Sequence, residues 1–299
     1  MRRLLVLLAV LTAVPCSVLR PQSLDSLRLA VTRRIAESGA TAAVFYRDLV
    51  TGDSVAIAAD ARFHAASTMK VAVMVQVYRD ADAGLLRLSD RLPVTTTFRS
   101  LADSSPFTLS AADDSDSTLY RMLGRPVRIR ELVHRMITVS SNVATNLLVD
   151  RVRAPRIQAT LRELGADSMT VLRGVEDGPA YRAGLNNTTT ARALGQLLAA
   201  IADGRAASAA SCGAMLEVLL DQRFRDGIPA GLPPSTRVAH KTGEITALHH
   251  DAGIVYLRGR PRYVLVVLTR GLAERTASAA LIADVARLVH ARAVPVLAP

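Results

Sequence analysis

The chain has no tryptophan, two cysteines and, reading along its 299 residues, only two lysines. So few cysteines exclude a disulfide framework, and Cys212 would be the only one left if an N-terminal segment carrying Cys16 were removed. Aromatic residues make up 4% of the chain. Few of them interleave with the arginines, which are scattered rather than clustered. The net charge of +11 therefore does not read as a nucleic-acid footprint, and no nucleic-acid partner is expected. The bias of arginine over lysine, with much alanine, reads instead as base composition. Half the residues are apolar and charge is ordinary, a soluble globular composition. The length allows one large domain or two interleaved ones with a sizeable core.

Residues 1–22 read as an export signal. Arg2 and Arg3 give the positive start, and Leu4 to Val14 is an eleven-residue apolar core. A bilayer span needs roughly 20 residues, so this run is too short to cross one. Val14-Pro15-Cys16 lacks the usual small residue before a cut, and Pro15 argues against lipid modification at Cys16. The mature chain is expected to be periplasmic or secreted, monomeric by default, and not stably inserted in a membrane.

The scarcity of lysine directs attention to where the two lysines stand. One closes Ser67-Thr-Met-Lys70, at the head of the apolar run Val71–Tyr78. Positions three apart share a helix face, so Lys70 would stand over the Ser67 hydroxyl. Burial and a helix N-terminus both disfavour a charged lysine, and a neutral lysine can take a serine's proton. Arginine, used almost everywhere else, cannot do so because its pKa is far too high. The second lysine opens Lys241-Thr242-Gly243, where a glycine in a strand lets a ligand approach the backbone.

Along the chain, Ser23–Ser38 has a helical rhythm, and Thr41–Arg47 and Ser54–Ala58 read as strands joined by a turn around Thr51-Gly52. The Ser67 helix runs to about Ala83, and Leu85–Asp116 reads as loop with little regular structure. Helices are expected over Arg128–Ile137, Ser141–Val152, Arg156–Leu164, Thr188–Ala202 and Ser211–Asp221. Arg237–His240, Ala252–Arg258 and Tyr263–Thr269 read as strands, and Glu274–Ala293 as a terminal helix. Strands at both ends and helices between them predict an α+β fold, in which one antiparallel sheet built from both ends carries an inserted all-α domain. The expected division is 23–66 and 216–299 for the α/β part and 67–215 for the all-α part.

Ser67-x-x-Lys70, Ser140-Ser141-Asn142 and Lys241-Thr242-Gly243, in that order, resemble the signature of class A serine β-lactamases and their relatives among the penicillin-recognising serine hydrolases. The resemblance covers nearly all of the mature chain. It implies a β-lactamase/transpeptidase-like fold, a small-molecule β-lactam substrate and no cofactor. It also implies that Ser67 is the acylated nucleophile and Lys70 its base or proton relay. Ser140 would pass the proton to the leaving nitrogen, helped by Lys241. Thr242 and Asn142 would contact substrate, and Asn146 would brace the helical part on the substrate side. The amides of Ser67 and of Glu244, just after the substrate-contacting Gly243, would form the oxyanion hole, and Glu176 would activate the deacylating water.

Several positions depart from that pattern. Ser141 stands where the motif has aspartate, and Ala180 where a water-positioning asparagine is usual. Asn187 stands where an acidic partner for Arg173 is common, which leaves Asp177 as a substitute partner. Pro229 and Ala252 occupy the two places for a carboxylate-anchoring arginine, and Arg225 or Arg237 would have to compensate. His249-His250-Asp251 reads as a polar strand entry rather than a metal cluster, and His64 as structural. Two other readings stay open: a related hydrolase of a non-lactam ester or peptide-like substrate, and a sensor that is acylated without turning over.

Overall fold

The computed structural model describes residues 23–294, so the expected export signal and Cys16 lie outside the described residues. A five-stranded antiparallel sheet runs in the order Ser54–Ile57, Thr41–Asp48, Arg260–Arg270, Leu248–Leu257, Val238–Ile245. Both chain ends therefore build one sheet, and the α+β arrangement with a helical part between them is what the structure has.

The central strand shows how the layers form. Side chains alternate across a strand. Val264, Val266 and Leu268 join the core shared with the helical part, whereas Tyr263, Leu265 and Val267 join a second core. That second core is closed by Leu24–Ser38 and Arg275–Ala293, through Leu27, Val31, Leu281, Ile282 and Val285. A strand covered on both faces reads as an unbroken apolar run, as Val264–Leu268 does. On the other face Gly195, in the helix Ala191–Ala202, lies so close to Phe45 that a Cβ there would come within 2.2 Å of the ring.

The helix Lys70–Asp82 is buried around most of its circumference, from Val71 to Tyr78, and forms the axis of the helical part. The structure differs from several of the expected boundaries and settings. Ser67 sits in a short 3₁₀ turn, Ala66–Met69, and the α-helix begins only at Lys70. The edge strand runs from Val238 through Ile245, so it continues past the expected end at His240 and Lys241-Thr242-Gly243 lies within it. Its lysine and threonine are buried, which an apolar pattern does not reveal. The stretch Leu85–Asp116 carries short ladders, Thr97–Arg99 against Pro106–Thr108 and Arg91–Pro93 against Pro126–Arg128. Thr188–Thr189 pairs with Phe63–His64, and the next helix starts at Ala191 behind a Thr190 cap. The expected division after residue 215 falls inside the helix Ala209–Leu220. No helix among the described residues is long and apolar enough to cross a membrane.

Candidate active site

A cleft of about 910 Å³ opens between the sheet edge and the helical part, and Ser67, Ser140, Asn142, Glu176 and Thr242 all line it. The turn that presents Ser67 is pinned from three sides. The Ala65 amide donates to the Asn187 carbonyl (2.9 Å), the Ala66 amide to His64 Nδ1 (3.0 Å), and Gly243 lies against the Ser67 and Thr68 amides. A Cβ on Gly243 would come within 3.2 Å of Ser67 N, so the missing side chain lets this strand lie close against the turn. Ala66 is held at φ +45°, a left-handed conformation that costs about 1–3 kcal/mol and persists only where the surroundings impose it. Burial, then the nearby Arg173, lowers the His64 pKa, which keeps Nδ1 free to accept. His64 is thus structural, as expected.

Lys70 and Lys241 are both fully buried. Lys70 Nζ donates to the Ser140 carbonyl (2.6 Å), Ser140 Oγ (3.1 Å) and Asn142 Oδ1 (2.8 Å). Lys241 Nζ donates to the same Ser140 Oγ (3.1 Å) and to the Thr242 carbonyl (2.8 Å). One hydroxyl therefore bridges both lysines, and Ser140 is held at φ +58° to put it there. Burial lowers the Lys70 pKa to about 7, against the pull of Asp114 and Glu176 toward the charged form. Burial, then repulsion from Lys70, pushes Lys241 well below the usual lysine value. The result is a pair of buried amines, each easier to deprotonate than an ordinary lysine, joined through one hydroxyl.

Glu176 faces this cluster from a loop, at φ +59°. Burial and the neighbouring Asp113 raise its pKa, more than Lys70 and Arg173 lower it. Behind it, the Asn146 side chain clasps the Val175 backbone, donating from Nδ2 to the carbonyl (3.0 Å) and accepting the amide at Oδ1 (2.7 Å). Asn146 therefore lies one layer behind the cleft lining and holds the loop through Val175. A Cβ on Gly174 would come within 2.2 Å of Asn146 Oδ1. Gly174→Ala is expected to push the Asn146 amide aside and displace the loop that carries Glu176.

A model of the "Beta-lactamase enzyme family" matches residues 26–293, nearly the whole described chain. The chain belongs to that family. It is 30% identical to a β-lactamase of Streptomyces fradiae over 250 residues, which cover 82% of this chain and 79% of the relative. The structure of a β-lactamase from Sphaerobacter thermophilus superposes with a TM-score of 0.77 at 28% identity, covering 91% of this chain and 99% of that one. A PBP-A mutant, solved as an acyl-enzyme complex with penicillin G, superposes at 0.75 with 27% identity, over 91% and 98% of the two chains. The family membership makes the chain a hydrolase of the serine β-lactamase superfamily.

Against that family pattern, the departures resolve unevenly. Ser141 still caps its helix, its hydroxyl accepting the Ala144 amide. Asp177 does not pair with Arg173. It accepts from Ser100 Oγ (2.6 Å) and the Leu101 (2.8 Å) and Ala180 (3.1 Å) amides, tying the loop to the 100 region. The Arg173 guanidinium turns instead to Leu185 O, Gly174 O and Asn186 Oδ1, while the Asn187 amide joins the loop's two ends. Ala180 is buried and offers only a methyl group where a water-holding amide is usual.

Neither arginine proposed as a compensating anchor lines the cleft. Arg237 lies over the Tyr256 ring, 5.1 Å from its centroid. Arg275 does line the cleft, bonded to Asp226 (2.6 Å) and Glu244 (2.7 Å). Sequence reading missed it. The signal was an arginine in the first turn of a helix, where the macrodipole disfavours positive charge. The three polar side chains His249, His250 and Asp251 sit within a strand. His250 bonds the His64 carbonyl and Asp251 bonds His240 Nδ1 (2.9 Å), so they serve separate contacts.

Proposed function

We propose that this chain is an exported serine β-lactamase that opens the lactam ring through an acyl-enzyme on Ser67. The observation that carries the reading is the Ser140 hydroxyl, 3.1 Å from both Lys70 Nζ and Lys241 Nζ, in the cleft that Ser67 lines. Neutral Lys70 takes the Ser67 proton as Oγ bonds to the lactam carbonyl carbon. The C–N bond then breaks, the nitrogen receives the Ser140 proton, and Lys70 restores it. The Ser67 and Glu244 amides stabilise the oxyanion, each such donor contributing about 2.7–4 kcal/mol in comparable sites. Glu176 takes a proton from water as the water oxygen bonds to the ester carbon; the C–Oγ bond then breaks and that proton passes to Ser67 Oγ, restoring the Glu176 carboxylate. No cofactor enters these steps.

Thr242 and Arg275 hold the substrate carboxylate, and Asn142 its amide side chain. Arg275→Ala is expected to raise KM for a carboxylate-bearing lactam about tenfold, a loss near 1.4 kcal/mol. Unchanged kcat would mark it as uniform binding, and an unchanged KM would remove Arg275 from the anchor role.

The Ala180 methyl and the two carboxylates already engaging Arg275 favour a second reading, in which Ser67 is acylated by a related ester or peptide-like substrate and lactams turn over slowly. A chromogenic cephalosporin separates the two. Colour release well beyond one equivalent supports the lactamase. Release that stops at one equivalent supports the second reading.

A further inference from the structure

The Ser140-Ser141-Asn142 triplet lacks the acid of its family motif, yet a carboxylate stands at the start of its helix. It comes from the loop. Asp114 accepts the Asn142 amide on both oxygens (3.0 Å each) and the Val143 amide on Oδ2 (3.1 Å). These are the first two amides of the helix Asn142–Val152, donors that the helix itself leaves unpaired. Tyr120 donates its hydroxyl to Asp114 Oδ2 (3.2 Å), and the Asp116 amide donates to Oδ1 (3.0 Å). Asp116 is in turn bridged to Arg135 at 3.3 Å. The loop is thereby fastened at several points around one carboxylate, which is only partly exposed.

Two links lead from this carboxylate to the reacting groups. Asn142, whose amide it holds, accepts Lys70 Nζ at 2.8 Å. Its negative charge also favours the ammonium form of Lys70, ahead of Glu176 in size. We infer that Asp114 is a positioning residue that supplies, from the loop, the acid missing from the Ser140-Ser141-Asn142 triplet, holding Asn142 and, through it, the place of Lys70 Nζ. This inference deepens the proposed reaction and rests on it for its kinetic consequence alone.

Because the chain has two lysines, its lysine side chains can be followed one by one. With lysine labelled at the ε position, NMR titration of the parent, Asp114→Asn and Asp114→Ala reads Lys70 directly, whether or not a lactam reacts. The charged groups facing Lys70 are Asp114, Glu176 and Lys241, with Asp113 acting through Glu176. Removing the Asp114 charge lowers the Lys70 midpoint by about half a pH unit or more, since a nearby opposite charge raises it. Asp114→Asn keeps an oxygen for the two amides, so their exchange protection persists. Asp114→Ala loses both the shift and the protection of the Asn142 and Val143 amides. Adding Ser141→Asp to Asp114→Ala restores the midpoint and slows amide exchange again.

In parallel, the acid limb of acylation moves to lower pH in Asp114→Asn. A Lys70 midpoint unmoved in Asp114→Asn, with folding intact by circular dichroism, overturns the inference. Failure of a lactam to acylate the parent overturns the proposed reaction and leaves the lysine titration standing.

Discussion

Replacing Lys70 by alanine is expected to slow acylation of Ser67 by about 10²–10⁴-fold, the range lost when a positioned base is removed. Lys70 is the only lysine besides Lys241 in the chain, and burial has brought its pKa down to about 7. The free base is the working form, so the acylation rate of the parent should rise with pH through that midpoint and level above it. Lys70→Ala should lose this limb together with the rate, and Lys70→Arg should not restore either, because a guanidinium stays protonated. Single-turnover rates across the pH range check both statements. A flat profile in the parent, or an alanine variant as fast as the parent, would move the base elsewhere.

The same burial has a cost in stability. The Lys70 pKa is near 7 in the folded chain and near its ordinary 10.5 when unfolded. Between those values the unfolded chain binds a proton that the folded chain does not. The destabilisation from this group therefore grows as pH falls from about 10.5 to about 7 and is constant below. Lys70→Met should accordingly unfold at a higher temperature at neutral pH while losing activity, a trade common at active sites.

The second large effect belongs to Glu176. Glu176→Ala is expected to leave acylation near the parental rate and slow deacylation by about 10²–10⁴-fold. Colour release from a chromogenic cephalosporin would then stop at one equivalent, and intact mass would show the adduct persisting. In the proposed reaction the carboxylate form activates water, so deacylation in the parent should rise with pH through the raised Glu176 midpoint. The backbone at φ +59° and the Asn146 clasp on Val175 hold this carboxylate toward the cleft from the loop. Sustained turnover by the alanine variant would assign the water to another group.

What could be read from the sequence was local. Ser67-x-x-Lys70 and Lys241-Thr242-Gly243 are contiguous, and their lysines stand out against an arginine-rich background. The sheet was legible because its strands carry apolar runs and the chain ends match in type. The features that escaped notice depend on contacts between distant segments. Asp114 meets the amides of Asn142 and Val143 across a loop whose polar sequence hides short ladders. Arg275 reaches the cleft from the last helix, near two carboxylates that nothing in its own neighbourhood announces. Asp177, adjacent in sequence to the catalytic candidate, turned to Ser100 rather than to Arg173. Hydrogen-bond partners of polar side chains are set by the packed fold, whereas periodicity reports only which faces are apolar.

The central claim is that Ser67 forms a covalent acyl bond with a lactam carbonyl. The most direct measurement mixes the mature protein with a penicillin, quenches in acid at short times, digests it and maps the adduct by mass. The expected result is an increase equal to one whole penicillin on the peptide that carries Ser67, absent in Ser67→Ala and decaying with time in the parent. An adduct on another residue, or no adduct at any time, would contradict it.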